Sequence, residues 1–231
     1  MKKVTKKTVK KVVKKTTKKP SAVAKPQSVT YWKKRPITDE DRDWGYGKEN
    51  WVQDYVASVA HPHRAKIIDI LKTFDWSYLL EVGCCTGPNL ALIREHWPEK
   101  ALFGIEPNED AVQTAKEVLS PNIHVHLGTF NKLPFAGDFV DVILADATLM
   151  YAAKDEINDV MDELDRVTRK AILIVDRFTE KDSTESHVWS RNYAKLLSDR
   201  GYVVKEWPVT EEDWGTSKNW VKYGKYWLGI K

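Results

Sequence analysis

The sequence predicts a doubly wound α/β fold, in which a mostly parallel sheet of about seven strands carries helices on both faces. Two observations predict it: apolar runs of strand length alternate with helical patterns, and a glycine-bearing turn joins the first such run to a helix. Strands are predicted at 78–82, 101–106, 123–127, 140–145 and 170–176, and near 202–209 and 225–230. Helices between them are predicted at 89–97, 109–119, 155–168 and 186–199.

The helices are predicted from apolar residues that recur every three or four positions. Ahead of the first strand, one helix is expected from about residue 49 to Pro62, and a second follows it. Their apolar stripes are Val52, Tyr55, Val56 and Val59, and then Ile67, Ile68 and Leu71. The prediction for 186–199 rests on Val188, Trp189, Tyr193, Leu196 and Leu197. Helical structure is thus expected both before the sheet and after its fifth strand.

The turn after the first strand has the residues of a nucleotide-binding corner. The run that begins at Leu79 contains Glu81 and is followed by Gly83 and Gly87. Glycine is needed where the backbone approaches a ligand or takes a positive φ, and a helix N-terminus after such a turn suits a nucleotide. The second strand ends in Glu106, nineteen residues after Gly87. A carboxylate there can accept both hydroxyls of a ribose, so an adenosine-type cofactor is predicted.

The glycine spacing decides between cofactors. A dinucleotide fingerprint that starts at Gly83 requires glycine at positions 85 and 88, where this chain has Cys85 and Pro88. An NAD-dependent oxidoreductase is therefore disfavoured. The pattern acid-x-Gly-x-Gly-x-Gly is matched by Glu81, Gly83 and Gly87 and departs at its middle glycine. It resembles the nucleotide-binding motif of class I S-adenosylmethionine-dependent methyltransferases, whose cofactor has an ammonium group that suits an acid at the strand end.

The resemblance to this family extends over residues 77–177. The segment 128–135 has the length and the Leu-Pro-Phe ending of the segment after the family's third strand, and 140–146 and 171–176 resemble its fourth and fifth strands. The resemblance implies a Rossmann-like methyltransferase fold that ends in an antiparallel hairpin, with S-adenosyl-L-methionine as cofactor. We divide the chain into a disordered Lys-rich arm (1–30), an N-terminal helical lid (31–76) and the S-adenosylmethionine-binding methyltransferase domain (77–231).

The family's motifs, carried onto this chain, imply a set of cofactor-binding residues. Glu106 would hold the ribose, and Thr129 stands where the family has the acid that receives the adenine amino group. Phe130 would pack against adenine or else belong to the core. Cys85 replaces the middle glycine, which implies that the position tolerates a Cβ atom. The whole set is Glu81, Gly83, Gly87, Asn89, Glu106, Pro107, Thr129, Phe130 and Asp146.

Methyl transfer from a sulfonium needs a general base only when the acceptor is protonated at the working pH. The candidate catalytic residues are Asp146, Tyr151, His63 and His61. Asp146 ends the fourth strand, where open sheets bind ligands, and an N-cap role is an equal alternative. His61 and His63 flank a proline without a third ligand at zinc spacing, so no metal site is predicted. Tyr151 stands where many small-molecule methyltransferases of this type have histidine.

Charge is distributed unevenly along the chain. Residues 1–25 contain eleven lysines and no acid, and the chain without those lysines has 26 basic and 33 acidic residues, a formal charge of −7. Non-specific contact with nucleic acid or another polyanion is predicted for residues 1–25. No apolar run is long enough for a membrane span, and neither a secretory signal nor a disulfide framework is present. A cytoplasmic protein without membrane contact is predicted, or a nuclear one in a eukaryotic host.

The sequence therefore predicts a methyltransferase that acts on an O, N or S atom, with a small molecule favoured as acceptor. After the fourth strand comes Ala145-Asp146-Ala147-Thr148, without the Pro-Pro pair typical of enzymes that methylate nucleobase amines. Two alternatives stay open: a methyltransferase of nucleic acid or protein, and a non-catalytic cofactor-binding scaffold tethered to nucleic acid. Trp32, Trp44 and Trp51 are expected to cover either the cofactor, as part of the lid, or the sheet edge.

Overall fold

A computed structural model describes residues 29–35, 50–185, 188–215 and 217–231 of the chain. The predicted contact of residues 1–25 with polyanions and the position of Trp44 lie outside these ranges. Disorder was expected through residue 30, but a helix begins at Val29. Its aromatic residue Trp32 packs edge-on against Tyr151, with 5.0 Å between ring centroids, and so provides apolar contact that the lysine pattern lacks. Among the described residues, no helix is both long and apolar enough to cross a membrane.

The strands and helices of the domain follow the predicted alternation closely. The helices are α1 (Val29–Lys34), α2 (Trp51–Ala57), α3 (His63–Leu71), α4 (Pro88–His96), α5 (Glu109–Val118), α6 (Ile157–Val167), α7 (Tyr193–Ser198), α8 (Glu211–Trp214) and α9 (Lys218–Tyr223). The strands are β1 (Tyr78–Val82), β2 (Ala101–Glu106), β3 (Ile123–Leu127), β4 (Val140–Asp146), β5 (Thr168–Arg177), β6 (Ser183–Glu185), β7 (Val188–Ser190), β8 (Val203–Pro208) and β9 (Gly224–Ile230). Short 3-10 turns follow α2 at Ser58–Ala60 and β4 at Leu149–Tyr151.

Seven strands form one sheet in the order β3-β2-β1-β4-β5-β9-β8. The first five are parallel, and β9 runs antiparallel to both β5 and β8. The doubly wound fold and the closing antiparallel hairpin are thereby confirmed. The chain leaves β1 toward β2 on one side and reaches β4 on the other, so a crevice opens at the carboxyl ends of β1 and β4.

Alternate side chains of the central strands enter two hydrophobic cores. In β1, Leu79 packs among residues of α3 and α4, whereas Leu80 packs among residues of α6. Both side chains are fully buried, as expected for strands covered on both faces. The central strands are thus covered on both faces, and the residues at their carboxyl ends border the crevice.

The predicted helix 186–199 is wrong in its first half. Val188 and Ser190 are buried and Trp189 is half-buried, which is the alternation of a strand, and β7 pairs antiparallel with β6. The helix starts only at Tyr193, because the side chain of Asn192 accepts a hydrogen bond from the backbone N–H of Lys195. The short helices α8 and α9 between the last two strands were not predicted.

Candidate active site

The turn between β1 and α4 requires glycine at two positions. Gly83 has φ +71° and Gly87 has φ +80°. A Cβ atom on Gly83 would lie 2.4 Å from Thr148 Oγ1, on the segment that follows β4. The N–H groups of Gly83 and Cys84 both donate to the carbonyl of Ile105, at 2.7 and 3.1 Å. The turn is thus held between the ends of β2 and β4.

Cys85 also has a positive φ, of +50°. The sequence departs from the motif here, but the backbone keeps the left-handed conformation for which glycine is favoured. The thiol is half-buried beside Trp51 and Val52, and burial raises its pKa well above the usual value. Packing therefore accounts for the thiol better than reactivity does.

We expect Cys85→Gly to leave cofactor affinity the same or tighter. The change removes about 1 kcal/mol of left-handed strain and restores the common motif, while it loses a modest packing contact. Calorimetric titration with S-adenosylhomocysteine checks the affinity, and Cys84→Ala, at a buried neighbour, is the comparison variant. A Cys85→Gly protein that binds normally yet has lost its turnover would assign the thiol to catalysis.

Glu106 is held at the tip of β2 by backbone groups. Its Oε2 accepts from Cys85 N–H and its Oε1 from Asn108 N–H, both at 2.9 Å. Burial raises the pKa of Glu106 to about 7, although these two bonds act in the opposite direction. The carboxylate is therefore oriented in advance, and each oxygen has a further lone pair for a hydroxyl donor.

The N-terminal helices cover this corner. Asn108, which caps α5, donates from Nδ2 to the carbonyls of Trp32 and Arg35, at 3.0 and 2.9 Å. Trp51 and Val52 of α2 pack on Ala111 in the first turn of α5. These residues lie where a cover over the cofactor corner is expected. That they act as a lid stays a prediction.

A buried polar cluster joins β1, β4, α3 and α4. Asn89 Nδ2 donates to Glu81 Oε1 at 2.7 Å and to Asp146 Oδ2 at 2.9 Å. Arg64 Nη1 donates to Asn89 Oδ1 at 2.5 Å and to Asp146 Oδ2 at 3.1 Å. Glu81 Oε2 and Asp146 Oδ1 are also buried and have no hydrogen-bond donor among the described residues. The cluster thus presents two carboxylate oxygens that can accept from a ligand.

The two carboxyl groups of this cluster differ in protonation. Burial raises the pKa of Glu81 to about 8, despite the hydrogen bond from Asn89. Burial alone would do the same to Asp146, but His63, Arg64 and Asn89 together hold its pKa far below the usual value. In the absence of ligand, Asp146 is therefore ionised at neutral pH, while Glu81 is largely protonated.

Arg64 was not singled out from the sequence, although the signal was present. Arg64, Ile67 and Ile68 stand at i, i+3 and i+4, so the helical pattern places the guanidinium on the buried face of α3. A buried arginine requires an anionic partner. Arg64 Nε and Nη2 also bond to Ser58, at 3.0 Å each, which ties the turn after α2 to the cluster.

The structure brings together three of the four candidate catalytic residues. His63 Nε2 lies 2.9 Å from Asp146 Oδ2, and His63 Nδ1 lies 2.5 Å from His61 Nδ1. Tyr151 instead packs with Met150 and Val188 beneath Trp32. Burial raises the pKa of the Tyr151 phenol well above its usual value, so Tyr151 is a poor base at neutral pH.

The remaining predicted residues lie along the edge after β2 and β3. Phe130 is buried in the core against Leu80 and Val82, which is the alternative given for it above. Thr129 and Pro107 are half-buried. No group of three or more metal-ligating side chains is found in the part of the chain that the structure describes.

Comparison with known proteins identifies the central region. A family model described as "Methyltransferase domain" matches residues 79–171, from β1 into β5. Over these residues the chain is similar to methyltransferase domains. Over 136 residues it is 26% identical to an uncharacterized methyltransferase of Schizosaccharomyces pombe, covering 52% of this chain and 47% of that protein. It is 24% identical over 98 residues to a malonyl-[acyl-carrier protein] O-methyltransferase of Herminiimonas arsenicoxydans, covering 42% and 36%. The chain spans less than half the length of these relatives.

Solved structures share the fold of the methyltransferase domain at low identity. A methyltransferase in complex with the Trm112 methyltransferase activator of Haloferax volcanii has a TM-score of 0.62 at 17% identity, over 78% of this chain and 93% of that chain. Magnesium protoporphyrin IX methyltransferase from Synechocystis with bound S-adenosylhomocysteine has a TM-score of 0.62 at 13% identity, over 87% and 97%. These likenesses extend the fold beyond the region that the family model matches.

Proposed function

We propose that the protein is an S-adenosylmethionine-dependent methyltransferase that transfers methyl to an O, N or S atom of a small molecule. One observation carries the proposal: at the carboxyl ends of β1 and β4, Glu81 Oε2 and Asp146 Oδ1 are buried and receive no hydrogen bond from any residue that the structure describes. Beside them stands the cation of Arg64. An amino-acid group, with an ammonium and a carboxylate, is complementary to this arrangement.

The residues present fit the cofactor in each of its parts. The ammonium would donate to Glu81 and Asp146, the carboxylate would accept from Arg64, and the ribose hydroxyls would donate to Glu106. Pro107, Thr129 and Phe130 would border the adenine. The ionised Asp146 would also favour a positively charged sulfonium nearby.

When bound, S-adenosylmethionine supplies a methyl group that its sulfonium has already activated. The chain's own residues then have to align the acceptor, exclude water and provide a fixed electrostatic environment. Asp146 and Arg64 are held by mutual bonds and are each buried, so they need no reorganisation during transfer. The sequence 145–148 after β4, which lacks the Pro-Pro pair, and the name of one structural neighbour, a magnesium protoporphyrin IX methyltransferase, support a small acceptor.

Cofactor affinity is expected to rise with pH between 6.0 and 7.5. A bound ammonium favours the Glu81 carboxylate, so Glu81, with a pKa of about 8 in the free protein, must release a proton on binding. Below that pKa the affinity then rises up to tenfold per pH unit. Titration with S-adenosylhomocysteine in buffers of different ionisation enthalpy measures the protons released.

Glu81→Gln is the decisive variant in that experiment. At pH 7 it should release fewer protons than the wild type, by up to one per ligand. Glu106→Gln is the comparison, because Glu106 also has a raised pKa, of about 7. Equal proton release by Glu81→Gln and the wild type would show that the ammonium of the ligand does not bind to Glu81.

The acceptor class is tested with methyl-labelled S-adenosylmethionine and fractionated cell extract, with and without nuclease. The proposal expects label in the small-molecule fraction, unaffected by nuclease. Label in nucleic acid or protein would show that the methyl acceptor is a macromolecule and not a small molecule. Cofactor binding without any labelled product in every fraction would favour the non-catalytic scaffold.

A further inference from the structure

Two histidines and a carboxylate form a chain of contacts at the edge of the proposed site. His63 is buried between Asp146 and His61, with one ring nitrogen toward each. His61 is only half-buried. The chain of contacts therefore leads from the ionised carboxylate of β4 outward to a ring that a second ligand can reach.

The contacts fix which nitrogen atoms carry protons. An ionised Asp146 can only accept, so His63 Nε2 carries a hydrogen and donates to it. In neutral His63 the Nδ1 atom is then an acceptor, and it receives the Nδ1–H of His61 over 2.5 Å. His61 Nε2 is left with its lone pair. This pair of rings is a base with one basic nitrogen directed away from the carboxylate.

The ring of Trp214 packs against the rings of both His61 and His63. Its ring centroid lies 5.2 Å from that of His61 and 4.2 Å from that of His63, and it stacks on Trp220 at 4.0 Å. These tryptophans come from α8 and α9, the helices inserted between β8 and β9. Trp220 also packs against the cluster of Met150, Tyr151 and Val188, so the insertion spans from the histidines to the segment after β4.

The charged groups around the histidines determine where an added proton resides. Arg64 follows His63 on α3, Asp146 ends β4, and Asp213 precedes Trp214 on α8. Burial, His63 and Arg64 lower the pKa of His61 to about 4. The His61 ring is therefore neutral at neutral pH, and its Nε2 atom keeps the lone pair that can accept a proton.

We propose that His61 is the general base of the methyl transfer, that His63 is its positioning partner, and that the acceptor is a group protonated at neutral pH, with a hydroxyl group as the case to test. This inference rests on the proposed function. In the step, the acceptor oxygen bonds to the methyl carbon, the carbon–sulfur bond breaks and sulfur keeps the electron pair. The hydroxyl proton goes to His61 Nε2, and the His61 Nδ1 proton goes to His63 Nδ1. A carboxylate acceptor would need no base.

The proton arrangement is tested without any acceptor. Two-bond ¹H–¹⁵N spectra of the full chain with labelled histidine, at pH 5 to 9, report the state of each ring nitrogen, and His61→Gln and His63→Gln assign the signals. We expect His63 Nε2 to stay protonated and the Nδ1 signals of both rings to shift in one step. Asp146→Asn should uncouple them. Two histidines that titrate independently near 6.5, or His63 protonated at Nδ1, would overturn the inference.

The acceptor is tested with a phenol and a carboxylic acid as methyl acceptors. For the phenol at pH 7, His61→Gln should lower kcat by about 10²–10⁴-fold and leave the affinity for S-adenosylhomocysteine unchanged. The loss should shrink as the pH approaches the phenol's own pKa, which a structural defect would not produce. His124→Gln, at an exposed histidine of β3, is the matched control.

The two proposals fail in different ways. If the wild type and His61→Gln bind the cofactor equally and methylate the phenol equally fast at pH 7, His61 is not the base, and the methyltransferase proposal is left intact. A wild type that binds neither S-adenosylmethionine nor S-adenosylhomocysteine would overturn the proposed function itself.

Discussion

Gly83→Ala is expected to weaken cofactor binding by at least about 100-fold. A left-handed alanine costs about 1–2 kcal/mol, and the new methyl would lie 2.4 Å from Thr148 Oγ1 and 2.5 Å from Thr148 Cγ2, which adds about 1–3 kcal/mol of overpacking. Either the turn or the segment after β4 must then move. Either movement takes the backbone away from the place proposed for the ligand, and a loss of about 2.8 kcal/mol of binding free energy corresponds to about 100-fold.

Gly201→Ala is the control that separates the effect of the steric clash with Thr148 from the effect of a left-handed alanine. Gly201 has a similar φ, of +86°, but nothing lies within 4 Å of a Cβ atom there. It should lose about 1–2 kcal/mol of unfolding free energy and keep its cofactor affinity. Titration calorimetry and denaturant unfolding measure the two quantities. A Gly83→Ala protein that binds as well as Gly201→Ala would show that the turn does not contact the cofactor.

Asp146→Asn is expected to lower the free energy of unfolding by about 3–5 kcal/mol, the range for removing one partner of a buried ion pair. Its carboxylate accepts from His63, Arg64 and Asn89, and its side chain is only 7% exposed. The amide would leave the buried guanidinium without a counter-charge. Asp69→Asn is the control, because Asp69 pairs with Lys72 at the surface, where such pairs contribute less than about 1 kcal/mol.

The difference in unfolding free energy between the wild type and Asp146→Asn should change in a defined direction at acid pH. The pKa of Asp146 is depressed in the folded state, so its contribution is complete above the unfolded value, near 3.9, and declines as the pH falls below it. The difference between wild type and Asp146→Asn should be constant from pH 5 to 7 and narrow below about pH 4. If the difference in unfolding free energy stays the same below pH 4, packing and not charge stabilises the cluster.

The central strands were predictable because burial on both faces makes them continuous apolar runs. The bounds predicted for β1, β2 and β3 agree with those observed, since a glycine follows β1 and β3 directly, and Pro107 and the capping residue Asn108 follow β2. The segment 186–199 misled because Val188, Trp189 and Tyr193 fit a helical stripe as well as a strand followed by a cap. Neither α8 nor α9 has enough residues to produce a periodic signal.

The cofactor corner was predictable in part, since Glu81, Gly83 and Glu106 are close in sequence to the strands that hold them. The polar cluster was not, because Arg64 and Asp146 meet across 82 residues of chain. The helical pattern places Arg64 on the buried face of α3, but it does not identify the anionic partner of the guanidinium. Only the sheet order, which puts β4 beside β1, brings the partner to it.

The side chain of Asn108 has two functions that can separate. Its Oδ1 accepts from Ala111 N–H and caps α5, while its Nδ2 holds the carbonyls of Trp32 and Arg35. Release of α1 breaks the Nδ2 bonds and the ring contacts of Trp32 with Trp51 and Tyr151, and water can replace the two carbonyls while the cap stays in place. We expect the N-terminal segment to open at a lower free energy than the sheet, which hydrogen exchange of the amides of α1 and β1 would measure. Under the proposed function, a bound nucleoside would then exchange by local opening, without loss of the corner that binds it.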